Sequence, residues 1–230
     1  MKALRDLGRV EGSDFVIEWR YADGKTGPLP ALAAELVKLN VDVIVTNGTP
    51  AVRAARQATT TIPIVTTSFS DPVGSGFAAS LARPGGNITG FSNLAEETVF
   101  KRLELLISVA PKVTRMARER VGALIVSTDS TLNPLGAQIA GLALRQRLPS
   151  TFGVRKIAEA GGLMSYGADY AVRYRRAAAY VDKILKCAKA GDLPIEQPTE
   201  FELVVNLITA KALGIKIPNS ILMQATKVIQ

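Results

Sequence analysis

Val41-Asp42-Val43-Ile44-Val45-Thr46-Asn47-Gly48-Thr49-Pro50-Ala51 runs from a β-branched, nearly all-apolar segment through a short polar turn into a proline. A strand with so little polar alternation is one covered on both faces, as in a parallel sheet flanked by helices. The proline suits the first position of a helix that follows at once. Working outward, residues 30–39 carry apolar side chains at helical spacing, 50–58 continue as a helix, and 14–19 and 62–67 read as strands. These make two β-α-β units. The same alternation continues with a short helix at 76–81, a strand at 88–91 and an amphipathic helix at 96–109 stopped by Pro111. A strand at 123–127, a helix at 134–145, a strand at 150–154, a long helix at 170–186, a strand at 201–206 and a last helix at 218–229 complete the series. Strands alternating with helices predict an α/β fold built on parallel sheets.

The chain has 230 residues and 47% hydrophobic content, enough for one large domain or two small ones. Its apolar runs are broken long before the roughly 18 to 20 residues that a membrane helix needs. The first ten residues carry Lys2, Arg5, Asp6 and Arg9, so no export signal is expected within them. The net charge is +8, but the basic residues are scattered, and neither nucleic acid nor an anionic membrane is expected as a partner. The densest group, Arg173, Arg175 and Arg176 with Lys183, Lys186 and Lys189, falls on the predicted helix at 170–186 and reads as its solvated face. With no histidine in the chain, an imidazole base, a Ser-His triad and a His-ligated metal are all excluded. The single Cys187 cannot form an internal disulfide. Gly74-Ser75-Gly76-Phe77-Ala78-Ala79 loosely matches a dinucleotide fingerprint, but Asp71-Pro72-Val73 separate it from the strand end that such a fingerprint must follow. No cofactor and no metal are expected.

Candidate binding residues come from polar loops directly after strands, where open α/β sheets place their ligands. Thr46, Asn47, Gly48 and Thr49 form the first such loop; the alternative for Thr49 is a simple helix N-cap. Ser70 and Asp71 follow the next strand. Asp71 offers a partner for a ligand ammonium or, before Pro72, only a turn. Asp129 and Asn133 lie in a third loop after the strand at 123–127. Tyr166, in the polar stretch before the long helix, offers a ring wall and a hydroxyl, or is a packed residue of a capping turn. No arrangement of nucleophile and base, and no carboxylate pair outside helix ends, suggests an enzyme.

Several segments together resemble one family: LRDLGRVEG at 4–12, VDVIVTNGTPA at 41–51, IPIVTTSFSDPVGSGFAASLARPGGNITG at 62–90, residues 102–106, ALIVSTDSTLN at 123–133 and AEAGGLMSYGAD at 158–169. They are similar to the periplasmic substrate-binding components of ABC-type transport systems related to tryptophan- and tyrosine-binding proteins. The resemblance implies a type I periplasmic-binding fold of two Rossmann-like lobes, with a small amino-acid-like ligand held in the cleft between them, an ABC permease as membrane partner and a periplasmic location. Against that pattern the chain starts inside the first helix, so the first lobe is expected to lack its first strand. The stretch after Pro111 leads at once to the strand at 123–127, so the second lobe is expected to be incomplete, with only a couple of strands. The corresponding division is 1–112 for the first lobe, 113–154 for a reduced second lobe, and 155–230 for crossover and C-terminal helices. Alternatives are a shortened product that no longer transports, which could associate into a homo-oligomer, and a small-molecule sensor with the same fold.

Overall fold

A computed structural model of the protein describes residues 2–110, 121–128 and 132–230. The chain divides into two compact units, each made of two stretches: 1–93 with 170–198, and 94–169 with 199–230. The boundaries thus fall at 93/94, 169/170 and 198/199, whereas the sequence suggested 112/113 and 154/155. The helix at 95–109 therefore belongs with the second unit, and the helix at 170–185 with the first.

The first unit begins with α1 (Lys2–Asp6), α2 (Leu29–Lys38), β1 (Ile44–Thr46), α3 (Thr49–Ala58), β2 (Ile64–Phe69) and β3 (Ile88–Ser92). In the second unit follow α4 (Ala95–Val109), β4 (Leu124–Ile125), α5 (Gly136–Arg145), β5 (Ser150–Phe152), α6 (Arg155–Glu159) and β6 (Met164–Ala168). The chain then returns to the first unit for α7 (Tyr170–Leu185) and β7 (Ile195–Glu196). It closes the second with β8 (Phe201–Asn206), α8 (Leu207–Ala212), α9 (Asn219–Leu222) and β9 (Lys227–Ile229).

In the first unit four parallel strands run in the order β1-β2-β3-β7. Every residue of β2 and β3 is buried. Because side chains alternate across a strand, Ile64 enters a core with Ile44, Val52, Ala55, Phe69, Ile88 and Ile195. Its neighbour Val65 enters another on the opposite face with Phe91, Ala177, Tyr180, Val181 and Ile184. Helix α3 supplies Val52 and Ala55 to the first of these cores and α7 the last four residues of the second. Full burial of each large aliphatic side chain contributes about 1.5–3 kcal/mol. The apolar run that predicted two-sided burial, 41–45, instead leads into the edge strand β1, which buries Ile44 and leaves Val45 51% exposed. Strands β2 and β3 are buried on both faces although Thr66, Thr67, Ser68, Thr89 and Ser92 interrupt their apolar residues. Gly90 of β3 has φ +125°, and a Cβ there would collide with the Thr66 backbone of β2; only glycine allows these strands to lie as they do.

The second unit has a five-stranded sheet in the order β4-β5-β6-β8-β9, with β6 and β8 antiparallel and the other pairs parallel. Its main core joins Leu105, Leu106 and Val109 of α4 to Leu163, Met164, Leu203, Val205, Ala210, Ile217 and Ile221. A smaller one gathers Val126, Ala140, Phe152 and Ile157. This sheet is larger than the couple of strands the sequence suggested. Two strands went unread there: Met164–Ala168, whose Ser-Tyr-Gly-Ala composition mimics a loop, and Lys227–Ile229, folded into the expected helix at 218–229. That last helix is in fact the single turn Asn219–Leu222 followed by a strand. The Thr226 N–H donates to the Leu203 carbonyl and steers the chain alongside β8.

Three further expectations change. Residues 14–19 are not a strand: the one pairing is an isolated bridge between Glu11 and Phe15. Val16 and Trp19 are 74% and 55% exposed, with no neighbouring strand to complete a ladder. Residues 76–81 form a loop, set by Gly76 at φ +71° and by Phe77 N–H donating back to the Pro72 carbonyl; Phe77 still packs its ring 5.9 Å from Phe69. The helix expected at 134–145 opens as a tighter turn, Asn133–Leu135, before becoming α5. The junction at 111–120 lies outside the described residues.

The turn that follows α1 is tied to α7 by charge. The Arg9 guanidinium donates to Asp182 Oδ1 at 2.8 Å, and Lys186 Nζ donates to Oδ2 at 2.8 Å. These two cations, Lys186 foremost, hold the Asp182 carboxyl below its ordinary range, against an opposing push from burial. A depressed native pKa stabilises the fold above the unfolded value and loses that contribution as pH falls through the native value. Asp182→Asn is therefore expected to lower stability near neutral pH by no more than about 1 kcal/mol, since the pair is partly open to water. The difference from the parent protein should close below about pH 4, as read by chemical denaturation across pH. Gly90→Ala is expected to cost roughly 3 kcal/mol or more through backbone collision and the positive φ, a loss that a thermal melt would show directly.

Candidate functional site

The carboxyl ends of β1, β2 and β3 gather polar groups on one edge of the first unit. After β1, Gly48 has φ +91° and donates its N–H to the Ser68 carbonyl at 2.7 Å. Gly48, not Thr49, is the N-cap of α3, and its absent side chain caps nothing. The Thr49 hydroxyl instead accepts from the Ser70 N–H at 3.0 Å, and the Asn47 amide donates to Thr67 Oγ1 at 2.7 Å. Three hydrogen bonds thus stitch the turn after β1 to β2 and its exit. The sequence-predicted residues Thr46, Asn47, Gly48, Thr49 and Ser70 are brought together, though Thr49 serves as a strut. Asp71 is exposed and sits at φ +41°, with Oδ1 accepting from Gly74 N–H at 2.8 Å. Its carboxylate closes its own turn.

Four side-chain atoms on this edge are buried without a hydrogen-bonding partner: Thr46 Oγ1, Ser92 Oγ, Asn93 Oδ1 and Arg173 Nε. Buried polar atoms in native proteins are nearly always paired, so a cluster of orphans marks a place where another molecule supplies the partners. Arg173, in the first turn of α7, is only 7% exposed. Its Nη1 donates to Ser68 Oγ at 3.2 Å, and its guanidinium lies 5.6 Å from the centre of the Tyr170 ring. Asn93 Nδ2 reaches the same Ser68 hydroxyl at 3.5 Å. Burial pushes the Arg173 pKa down, with Tyr170 opposing. The sequence reading had placed Arg173 on a solvated helix face with Arg175 and Arg176, and its burial corrects that. The signal available was Tyr170, three residues earlier on the same helix face. Ser92 and Asn93 were passed over as the end of a strand.

The other candidates lie in the second unit. Tyr166 is a residue of β6, half-buried, with its ring stacked on Phe201 at 5.5 Å and 14° and packed on the main core. It is a sheet residue and not part of a capping turn. Asn133 opens the turn ahead of α5. Asp129 lies outside the described residues. At the carboxyl end of β4 a second arginine, Arg102 of α4, is 1% exposed. It donates to the Val126 carbonyl at 2.8 Å and to Thr98 Oγ1 at 2.9 Å. Its acceptors come from the protein, so it acts as a brace between α4 and β4.

A separate depression of about 700 Å³ opens on the amino edge of the first sheet, between residues such as Asp42, Arg56, Asn87 and Lys189. The orphaned polar atoms are on the opposite edge, which is the edge where α/β sheets bind ligands. Among the described residues no cluster of three metal-binding side chains occurs, and no helix is long and apolar enough to cross a membrane.

The sequence matches the family described as ABC transporter substrate binding protein over residues 1–117 and 113–229. The chain belongs to that family. It is 25% identical to the tyrosine-binding protein of Clostridioides difficile, in an alignment covering 94% of this chain and 75% of that protein. Among solved structures it resembles a conserved domain protein from Vibrio cholerae, with 26% identity, a TM-score of 0.90, and 99% of this chain and 92% of the other covered. It also shares its fold with a Streptococcus ABC domain solved in complex with L-Trp, at 22% identity, a TM-score of 0.89 and the same coverage. The family assignment gives the orphaned strand-end groups their context: the chain is a ligand-capturing component with an α/β fold of two lobes.

The hydroxyl of Thr49 holds the two loops in register, so its loss should be felt in the fold. Thr49→Val leaves the Ser70 N–H without an acceptor and is expected to cost about 1–2 kcal/mol, while Thr49→Ser keeps the bond. Urea denaturation of both variants, with faster hydrogen exchange at the Ser70 amide in the valine variant alone, checks this.

Proposed function

We propose that the protein captures a small, polar, amino-acid-like ligand for an ABC importer, binding it at the carboxyl edge of β1, β2 and β3. The observation that carries this reading is the set of buried, unpartnered polar atoms at that edge, Thr46 Oγ1, Ser92 Oγ and Asn93 Oδ1, in a chain of the substrate-binding family. Thr46, Asn47 and Ser70 face the ligand, with Gly48 and Thr49 holding the loops that present them. Asp129, Asn133 and Tyr166 of the second unit, together with the outward edge of Asp71, are the remaining candidate contacts. The relative named for tyrosine and the neighbour solved with L-Trp support an amino acid as the class of ligand. The reading further makes the protein a non-catalytic component working outside the cytoplasmic membrane and delivering its ligand to a permease. Affinity comes from hydrogen bonds converging on a few preformed groups.

A thermal-shift screen of the common amino acids tests this. A ligand at about 100 times its Kd stabilises the native state by about 2.7 kcal/mol, which for a chain of this size raises Tm by roughly 5–10 °C. Such a shift with one or a few amino acids is expected, aromatic ones first. A flat response to every amino acid would overturn the reading.

A further inference from the structure

The two buried arginines at strand ends differ in one respect. Arg102 is held by the Val126 carbonyl and the Thr98 hydroxyl. Arg173, only 7% exposed, has one neutral acceptor, the Ser68 hydroxyl at 3.2 Å. Among the described residues no carboxylate pairs with it, although Arg176 on the same helix pairs with Glu196. Desolvating a guanidinium without an anion is costly, and proteins rarely leave such a charge unanswered unless an anion arrives from outside. The planar guanidinium is also the group best suited to bind a carboxylate through two parallel hydrogen bonds.

We propose that Arg173 is the anchor for a carboxylate group of the ligand, with Ser92 Oγ and Thr46 Oγ1 as further donors at the same edge, so that the protein selects carboxylate-bearing ligands over otherwise identical uncharged or cationic ones. Two features fit. Ser68, which holds the guanidinium in place, is itself fixed in the ladder: its carbonyl accepts from Gly48 N–H and from Thr66 Oγ1. And Asn93, whose amide reaches the same hydroxyl, leaves its Oδ1 unpaired, an acceptor suited to a ligand N–H beside the carboxylate. This inference rests on the reading that the carboxyl edge of the first unit is the binding site, and adds the chemical class that the site requires.

The test uses the intact chain and three sets of probes by titration calorimetry: L-tyrosine and L-tryptophan; their amides and decarboxylated amines; and the amine-free acids 3-(4-hydroxyphenyl)propionate and indole-3-propionate. The expected result is that the parent protein binds an acid at least about 100-fold more tightly than the matching amide or amine, and that Arg173→Met removes this preference by weakening the acid alone. Because the free arginine is unanswered, Arg173→Met should leave the Tm of the ligand-free protein unchanged or raised, whereas a merely structural arginine would lower it. Equal binding of acid and amide by the parent protein, or undiminished acid binding by Arg173→Met, overturns the carboxylate anchor while leaving amino-acid capture standing. Binding of the amine-free acids but of no amino acid, lost in Arg173→Met, overturns amino-acid capture and keeps the anchor. No binding in any set overturns both. The comparison of acid with amide in the parent protein decides the matter even where Arg173→Met fails to fold.

Discussion

Burial of β2 on both faces is the constraint from which the rest of the first unit follows. A strand covered by α3 on one side and α7 on the other has no lateral surface on which to carry function. Its polar groups can emerge only at its ends. At the carboxyl end, the chain must turn back over the sheet, and here the turn after β1 and the exit of β2 hold one another through Gly48, Thr49 and Asn47. The loops are rigid for the same reason that the strands are buried: backbone groups that leave the ladder still need partners. Four of the buried side-chain atoms left without partners, Thr46 Oγ1, Ser92 Oγ, Asn93 Oδ1 and Arg173 Nε, lie at that edge.

That concentration separates structure from function at the level of single residues. Arg102 and Arg173 are alike in type, burial and position relative to a strand end, and a count of buried charges would treat them equally. What distinguishes them is whether the protein answers the charge. Arg102 has the Val126 carbonyl and the Thr98 and Thr128 hydroxyls as acceptors for its terminal nitrogens and joins α4 to β4. Arg173 has the Ser68 hydroxyl and the Tyr170 ring. Native structures tolerate an unsatisfied group of this kind where a mechanism depends on it.

Three strands of the first sheet were legible from their β-branched apolar openings: Ile44–Thr46, Ile64–Phe69 and Ile88–Ser92 lie within three residues of the segments read from pattern alone, whereas the two-residue Ile195–Glu196 was too short to read. The loop at 46–49 and Ser70 were legible because strand-to-helix turns announce themselves by glycine, threonine and proline. The failures have particular causes. Residues 14–19 have the composition of a strand but no partner, and strand propensity expresses itself only through pairing. Met164–Ala168 has a partner but not the composition, because Ser165 and Gly167 are small residues lying where backbones approach: a Cβ on Gly167 would strike the Gly153 carbonyl. Arg173 was misplaced because helical periodicity puts a cationic stripe on the solvent side by default. Only tertiary structure revealed that one of its members turns inward.

The chain leaves the first unit after Asn93, returns at Tyr170, and leaves it for good after Pro198. During synthesis, therefore, β1, β2 and β3 emerge long before α7, the helix that must cover their second face. Val65 and Phe91 remain open to water until some hundred further residues have been made. The intervening residues form most of the second unit, which in turn waits for β8 and β9 at the very end of the chain. Neither sheet can be finished by the ribosome in a single pass, and each exposes an unfinished apolar face while the other is being made. Apolar faces left open in this way are the surfaces through which partly folded chains associate.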